Sequence, residues 1–210
     1  MTAIGAKVER RTHAERRREA EARILEAAFE IVARSGVDQL TLAEAGEMAG
    51  YSRALPAHYF GSREELLSAV AEHAVQAYRS RVKLKDPRPR GGLASLLAGI
   101  SFYINDSRKW PKKLRAFYEV MNAALRWPSI APVIARLNDE AVERYASYIR
   151  IGQEDGEIRA DLDPMIEAVA IAGAVRGIMT QWLVAPQSID LDKVRDAYLA
   201  ALKRSLSSEP

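Results

Sequence analysis

The stretch spanning residues 41–63, TLAEAGEMAGYSRALPAHYFGSR, constrains the chain most, because its punctuation permits little but short helices joined by tight turns. Thr41-Leu42-Ala43-Glu44 has the form of a capping box, in which a hydroxyl and a carboxylate satisfy backbone donors at a helix start. Leu42, Ala45, Met48 and Ala49 then share one helical face. Gly50 supplies the positive backbone angle that ends a helix and turns the chain. Ser52 is placed to cap a second helix, which Leu55, Tyr59 and Phe60 anchor; Gly61 ends it. Ser62-Arg63-Glu64-Glu65 is a further capping box opening a longer helix. In this reading Leu42, Met48, Leu55 and Phe60 pack the small unit. A short helix, a glycine turn and a second helix bearing Ser, Arg and His has the shape of a helix-turn-helix, whose second helix lies in the DNA major groove.

The remaining periodicity is helical throughout. Apolar spacing predicts a helix from about Ala14 to Gly36, with Ile24, Leu25, Ala28, Ile31 and Val32 inward and Arg34 at its negative end. Val37 and Leu40 tuck the following loop against the core. The helix that opens at Arg63 continues to about Lys83, with Leu66, Leu67, Val70, Ala74, Ala77 and Tyr78 on one face. Residues 84–92 read as a polar, proline- and glycine-rich loop. Further helices begin at Leu93 and Pro111 and run on from Val133 to before Gly156, the last with Val133, Ile134, Leu137, Ala141, Tyr145, Tyr148, Ile149 and Ile151 in its stripe. Two more occupy about 164–184 and 190–206. Alternating strand patterns are absent, so the expected fold is all-α with about nine helices. Its expected divisions are residues 1–62, an arm and a three-helix DNA-reading unit, and 63–210, a larger helical body joined by helix 63–83.

Composition removes several classes of function. The 210-residue chain is 48% hydrophobic, enough for a proper core, and carries a net charge of only +3. It contains no cysteine, which excludes disulfides, thiolate metal sites and cysteine nucleophiles. Its histidines, His13, His58 and His73, are scattered without ligand spacing, and phosphate-cradling or nucleophile-elbow motifs are missing. No enzymatic activity, cofactor or metal is therefore expected. Without a leader-like segment or a run of membrane-spanning length, a cytoplasmic location is the expected default. The basic cluster at Lys7, Arg10, Arg11, Arg16, Arg17, Arg18 and Arg23 is opposed by Glu9, Glu15, Glu19 and Glu21. It suits either phosphate or minor-groove contact or a solvated, frayed helix start.

Ile24-Leu25-Glu26-Ala27-Ala28-Phe29, Gly36, Thr41, Ala49-Gly50, Ser52-Arg53 and the run from Phe60 to Leu67 (FGSREELL) together resemble the DNA-binding domain of TetR-family regulators, over roughly residues 20–75. The resemblance implies a three-helix DNA-binding domain, a larger dimerising body and a small effector. The chain departs from the family's usual Gly-Thr-Leu-Tyr-x-His-Phe, having Ala54-Leu55-Pro56-Ala57-His58-Tyr59-Phe60. A commonly phosphate-touching tyrosine is thus Ala57, and the usual histidine is Tyr59. Counted from a Ser52 cap, Pro56 removes a backbone donor where the first intrahelical bond should form, so the helix starts later or as a tighter turn.

Candidate DNA contacts follow. Arg53 leads the recognition helix and suits guanine or phosphate, while Ser52 and Thr41 at helix starts suit phosphate. Ala54 and Ala57 suit thymine methyl groups. His58 and Tyr59 offer hydrogen bonds, His58 having the alternative of local capping or packing, and Arg63 is placed to hold the backbone. For an effector pocket the candidates are Phe102, Tyr103, Phe117, Tyr118, Met121, Asn122, Tyr148 and Arg176, with core packing as the alternative for each aromatic. Arg176, on an otherwise apolar helix, needs a carboxylate, an anionic ligand or an exposed edge, and a salt bridge is the simplest of these. Ala170, Gly173, Gly177, Val194, Tyr198 and Ala201 on the last two helices are candidates for a homodimer interface, the alternative being packing within the chain. The function expected is a ligand-responsive regulator, a repressor released from a palindromic double-stranded operator by a small-molecule effector. The alternative is an all-helical dimeric small-molecule-binding or adaptor protein without specific DNA binding.

Overall fold

A computed structural model describes residues 12–85 and 92–208. Among these the fold is all-helical, with nine α-helices and no strand. Helix α1 (His13–Ser35) begins at a complete capping box, Thr12 accepting from the Glu15 amide while the Glu15 carboxylate accepts from the Thr12 amide. A short 3₁₀ turn (Val37–Gln39) leads to α2 (Leu42–Met48), α3 (Leu55–Phe60) and α4 (Arg63–Lys85). The body follows as α5 (Gly92–Ser107), α6 (Pro111–Ala123), α7 (Ala131–Glu154), α8 (Pro164–Val184) and α9 (Leu191–Leu206).

One continuous core runs through the molecule, from Ile24, Ala28 and Ile31 of α1 through Leu66, Leu67 and Val70 of α4 to Leu96, Ile100 and Ile104 of α5. Helix α1 packs on α2, α4 and, well outside the DNA-reading unit, α6. Val37 and Leu40 are buried, pinning the loop as expected. Asp163 and Asp190 cap α8 and α9 through their carboxylates. An isolated backbone bridge between Ile158 and Ser207 ties the end of α9 to the loop after α7.

Several details differ from the sequence-based expectation. Helix α4 runs on to Lys85, and Gly92 belongs to α5 rather than to the loop, so only residues 86–91 of the proposed loop fall outside the described residues. Lys7, Glu9, Arg10 and Arg11 of the basic arm fall outside them too. Gly92 is helical because its missing side chain is required: a Cβ there would stand 2.1 Å from the backbone nitrogen of Gly152 in α7. Ile151, expected in the buried stripe of α7, is 41% exposed, and Ala146 and Gly152 are buried instead. Met48, expected to pack, is also exposed, since it sits on the outer side of the final turn of α2. Among the described residues no helix is long and apolar enough to cross a membrane.

Candidate nucleic-acid interface and ligand cavity

Helix α2 is capped by Thr41, whose hydroxyl accepts from the Glu44 amide at 3.1 Å. Its end is closed by Gly50 at φ 79°, with the Gly50 amide donating to Glu47 and the Tyr51 amide to Gly46. Helix α3 starts two residues later than a Ser52 cap would place it. Ala54 occupies the cap position without a side-chain bond, and the Ser52 carbonyl accepts from the Leu55 amide at 3.2 Å. This resolves the difficulty of Pro56. At the second helical position its absent N–H has no intrahelical partner to lose. Pro56 is instead the buried residue of α3, seated on Gly46 of α2.

That seating turns Ser52, Arg53, Ala54, Ala57 and His58 outward together, on the exposed side of α3 and the turn before it. Arg53 is well exposed and pairs loosely with Glu47 at 3.3 Å, a contact that solvent screens and that anionic phosphate can displace. Tyr59 is half-buried, with the Arg17 guanidinium 5.2 Å from its ring centre and the His58 ring beside it. Arg23 lies similarly over Tyr51. Thr41 is exposed at the start of α2.

Arg63 is differently employed from the phosphate contact suggested for it. Its guanidinium donates to the carbonyls of Leu40, Val37 and Asp38 at 2.7, 3.0 and 3.1 Å and lies 4.6 Å from the centre of the Trp127 ring. It therefore clamps the 3₁₀ turn to α4 and to the α6–α7 connection. The capping box beside it is complete, Ser62 and Glu65 exchanging bonds of 3.1 and 2.8 Å.

A cavity lies where α1, α4, α5 and α6 converge. A chamber of about 210 Å³ is walled by Phe29, Tyr78, Phe102, Tyr103, Leu114 and Phe117. At its mouth the Glu26 carboxylate of α1 meets His73 of α4 at 3.1 Å and Lys113 of α6 at 3.3 Å. Partial burial pushes the pKa of Glu26 up, but Lys113 and His73 outweigh it and leave the group below its ordinary pKa. Two smaller hollows, each about 30 Å³, open off Tyr78 and Tyr103 towards Tyr145 of α7. Tyr78 stacks on Phe117 at 5.3 Å between ring centres, and the Tyr103 and Tyr118 hydroxyls lie 3.1 Å apart. Burial pushes the Tyr118 phenol up to about 12 despite its bond to Tyr103 and the charge of Arg176. Burial likewise raises Tyr103 and Tyr145, so these phenols stay neutral donors at physiological pH.

Of the sequence-derived cavity residues, Phe102, Tyr103, Phe117, Tyr148 and Arg176 line these spaces, and Tyr118 joins them through its hydroxyl. Met121 packs on the core, and Asn122 is exposed on the far side of α6. Arg176 has no ion pair among the described residues, against the salt bridge expected for it; the buried side of α8 that it borders carries only apolar residues. Sequence reasoning passed over Tyr78, Arg144 and Tyr145, since Tyr78 and Tyr145 fell within helical stripes that looked like plain core. The signal available was polar: Arg144, Tyr145 and Tyr148 fall within little more than one helical turn of α7.

On the opposite side of α8, Ile166, Val169 and Val184 are exposed, at 67%, 57% and 79%. Ala170 and Gly173 share that exposed side, and a Cβ at Gly173 or Gly177 would meet nothing within 4 Å. On α9 Ala201 is exposed, while Val194 and Tyr198 are partly buried.

Comparison with known proteins agrees with this geometry. Residues 24–70 match the family model for bacterial regulatory proteins of the tetR family, and residues 93–207 match that for the C-terminal part of BetI-type transcriptional repressors. The HTH-type transcriptional regulator AcrR of Shigella flexneri is 25% identical over 186 residues, covering 85% of each chain. TtgR of Pseudomonas putida is 28% identical over 190 residues, 84% of this chain and 86% of TtgR. A transcriptional regulator from Saccharomonospora viridis, solved in complex with choline, superposes with a TM-score of 0.79 at 20% identity, over 90% of this chain and 98% of that one. A helix-turn-helix with an outward Ser52–His58 face, set in front of an all-helical body that encloses an aromatic chamber, thus belongs to a member of the TetR family of DNA-binding transcriptional regulators.

Proposed function

We propose that this regulator is a homodimeric repressor that holds a palindromic operator through two copies of α3 and releases it when a small molecule fills the chamber behind Tyr78. The observation that carries the reading is the outward, solvent-facing placement of Ser52, Arg53, Ala54, Ala57 and His58 on one short helix end. Arg53 offers the paired donors that suit guanine or a phosphate, and Thr41 at the start of α2 and Ser52 in the turn before α3 suit phosphates. Tyr59, held by Arg17, contributes from the far end, and Arg63 acts by fixing the frame rather than by touching DNA. Residues 1–62 serve as the reading unit and 63–210 as the effector and dimer body, α4 belonging to both. The relatives named above being transcriptional regulators, no catalytic step is assigned.

The coupling route is physical. Helix α6 walls the chamber through Leu114 and Phe117, and it also packs on α1. Lys113 binds Glu26 of α1, Arg126 pairs with Asp38 of the 3₁₀ turn at 3.2 Å, and Trp127 lies under Arg63. A ligand that displaces α6 therefore pulls on both ends of the reading unit. DNA affinity falls by the difference in ligand affinity between the two shapes.

The dimer is assigned to the exposed apolar side of α8, with Ala170, Gly173 and Gly177 allowing close helix approach and Val194, Tyr198 and Ala201 of α9 beside it. An apolar strip of this kind, rimmed by polar residues, favours association in water. Val169→Glu is expected to convert the dimer to monomer in sedimentation velocity at micromolar concentration with its helical circular dichroism retained. A dimer surviving that change would move the interface elsewhere.

The experiment for DNA reading is selection of bound sequences from a random duplex library, followed by titration of the enriched site. Arg53→Ala is expected to weaken that site by about 1–3 kcal/mol if the side chain reads a base, or to lower the salt slope by about one unit if it holds a phosphate. Unchanged affinity together with an unchanged slope would remove Arg53 from the interface. Absence of any enriched sequence would favour the helical small-molecule-binding alternative.

A further inference from the structure

We propose that the inner end of the cavity, around Tyr145, is a carboxylate site, and that the effector is an amphipathic monoacid, aromatic or alkyl. The inference rests on the chamber being the effector site. Arg176 of α8 borders one of the two small hollows beside Tyr145, and Arg144 of α7 borders the other. Neither hollow is lined by an acidic residue. Among the described residues neither arginine has an ion-pair partner, although most other arginines of the molecule do, Arg79 with Glu140 and Arg136 with Glu72 among them.

Placement reinforces the sign of the charge. Both arginines act electrostatically on the Tyr145 phenol, and Arg176 acts on Tyr118 as well. Tyr103, Tyr118 and Tyr145 remain protonated; one O–H of the Tyr103–Tyr118 pair is spent on the other, which leaves the second O–H of that pair and the Tyr145 O–H as donors near the hollows. Two cations and neutral phenols without a carboxylate form a positively charged, donor-rich surface, which favours an anion over a cation. The outer end differs. There Glu26 is already paired with Lys113 and lies within hydrogen-bond distance of His73, and Asp106 has Lys109 at 3.7 Å. The carboxylates that would receive a cationic ligand are thus paired, while the arginines that would receive an anion have no ion pair among the described residues. A hollow of about 30 Å³ admits a small polar group, and the chamber of about 210 Å³ on the other side of Tyr78 and Tyr103 is walled mainly by apolar and aromatic side chains, with Glu26, His73 and Lys113 at the mouth, as the body of such an acid requires.

The test is calorimetric titration of the full-length protein with benzoate and octanoate, with their neutral amides benzamide and octanamide, and with choline as the cationic counterpart. The carboxylates should bind at least about tenfold more tightly than the amides, the size of one charge-assisted hydrogen bond, and choline should not bind. Benzoate against octanoate decides between an aromatic and an alkyl body. Arg176→Gln and Arg144→Gln should each erase most of the preference for acid over amide, with amide binding unchanged, and Arg176→Lys should keep part of it. If Arg176→Gln fails to fold by circular dichroism, Arg144→Gln and Arg176→Lys decide. Amides or choline binding as tightly as the acids would overturn the carboxylate site, as would an acid preference indifferent to both arginines or a lack of binding by every probe. Release of the selected DNA, measured separately, distinguishes the two readings. Arginine-dependent acid binding without release leaves the site standing and removes the effector role. Release by choline or an amide alone does the reverse.

Discussion

Replacing Gly46 with alanine is expected to weaken specific DNA binding by at least about 100-fold, or about 2.7 kcal/mol, while costing the fold only about 1–3 kcal/mol. A Cβ at this position would stand 2.7 Å from the Ser52 carbonyl oxygen and 3.0 Å from two ring carbons of Pro56. The first of these is backbone and the second a rigid ring, so neither yields by rotating a side chain. Relief requires α3 and the turn before it to move away from α2, carrying Ser52, Arg53 and Ala54 with them. Base contacts tolerate little displacement, because bidentate hydrogen bonds depend on distance and angle together. The measurement is fluorescence anisotropy on the selected site beside a denaturant melt of the same protein. An affinity about 100-fold lower in a protein that the melt shows still folded under the binding conditions confirms that α2 sets the position of α3. An unchanged affinity would mean that the Gly46–Pro56 contact does not govern recognition.

Arg63→Ala is expected to lower folding stability by about 2–4 kcal/mol, because three backbone carbonyls lose a charged donor at once. At this chain length each kcal/mol lowers Tm by about 2–4 °C. Arg63→Lys should recover little of the loss, since an ammonium lacks the planar fork that spans Leu40, Val37 and Asp38 and stacks on Trp127. Calorimetric melting checks both variants. A Tm unaltered by Arg63→Ala, with a DNA salt slope reduced by about one unit, would instead return Arg63 to the phosphate backbone.

Much of this fold was legible because capping residues and apolar periodicity agree along the chain. Thr41, Gly50 and the Ser62–Glu65 pair mark their helix ends in the sequence and occupy those roles in the structure. The boundaries of α8 and α9 follow from Pro164 and Asp190 for the same reason. What failed to show is tertiary. Pro56 looked like a defect because a lone sequence cannot reveal that Gly46 leaves room for its ring. Arg63 looked like a phosphate ligand because nothing local announces three carbonyls from a turn more than twenty residues earlier. Tyr78 and Tyr145 looked like core because helical spacing assigns a face to a residue but not the space that face encloses. Arg176 was noticed through its apolar neighbours, and only the packing of α7 against α8 brought Arg144 beside the same tyrosines.

Methylation interference on the selected duplex tests the central claim most directly, that the Ser52–His58 end of α3 enters the major groove. Methyl groups at guanine N7 line that groove, so the account predicts inhibition at two symmetric clusters one helical turn apart or a multiple of it. The clusters should fade in Arg53→Ala if that side chain reads the guanine. Binding indifferent to major-groove methylation, or a single unpaired cluster, would contradict it.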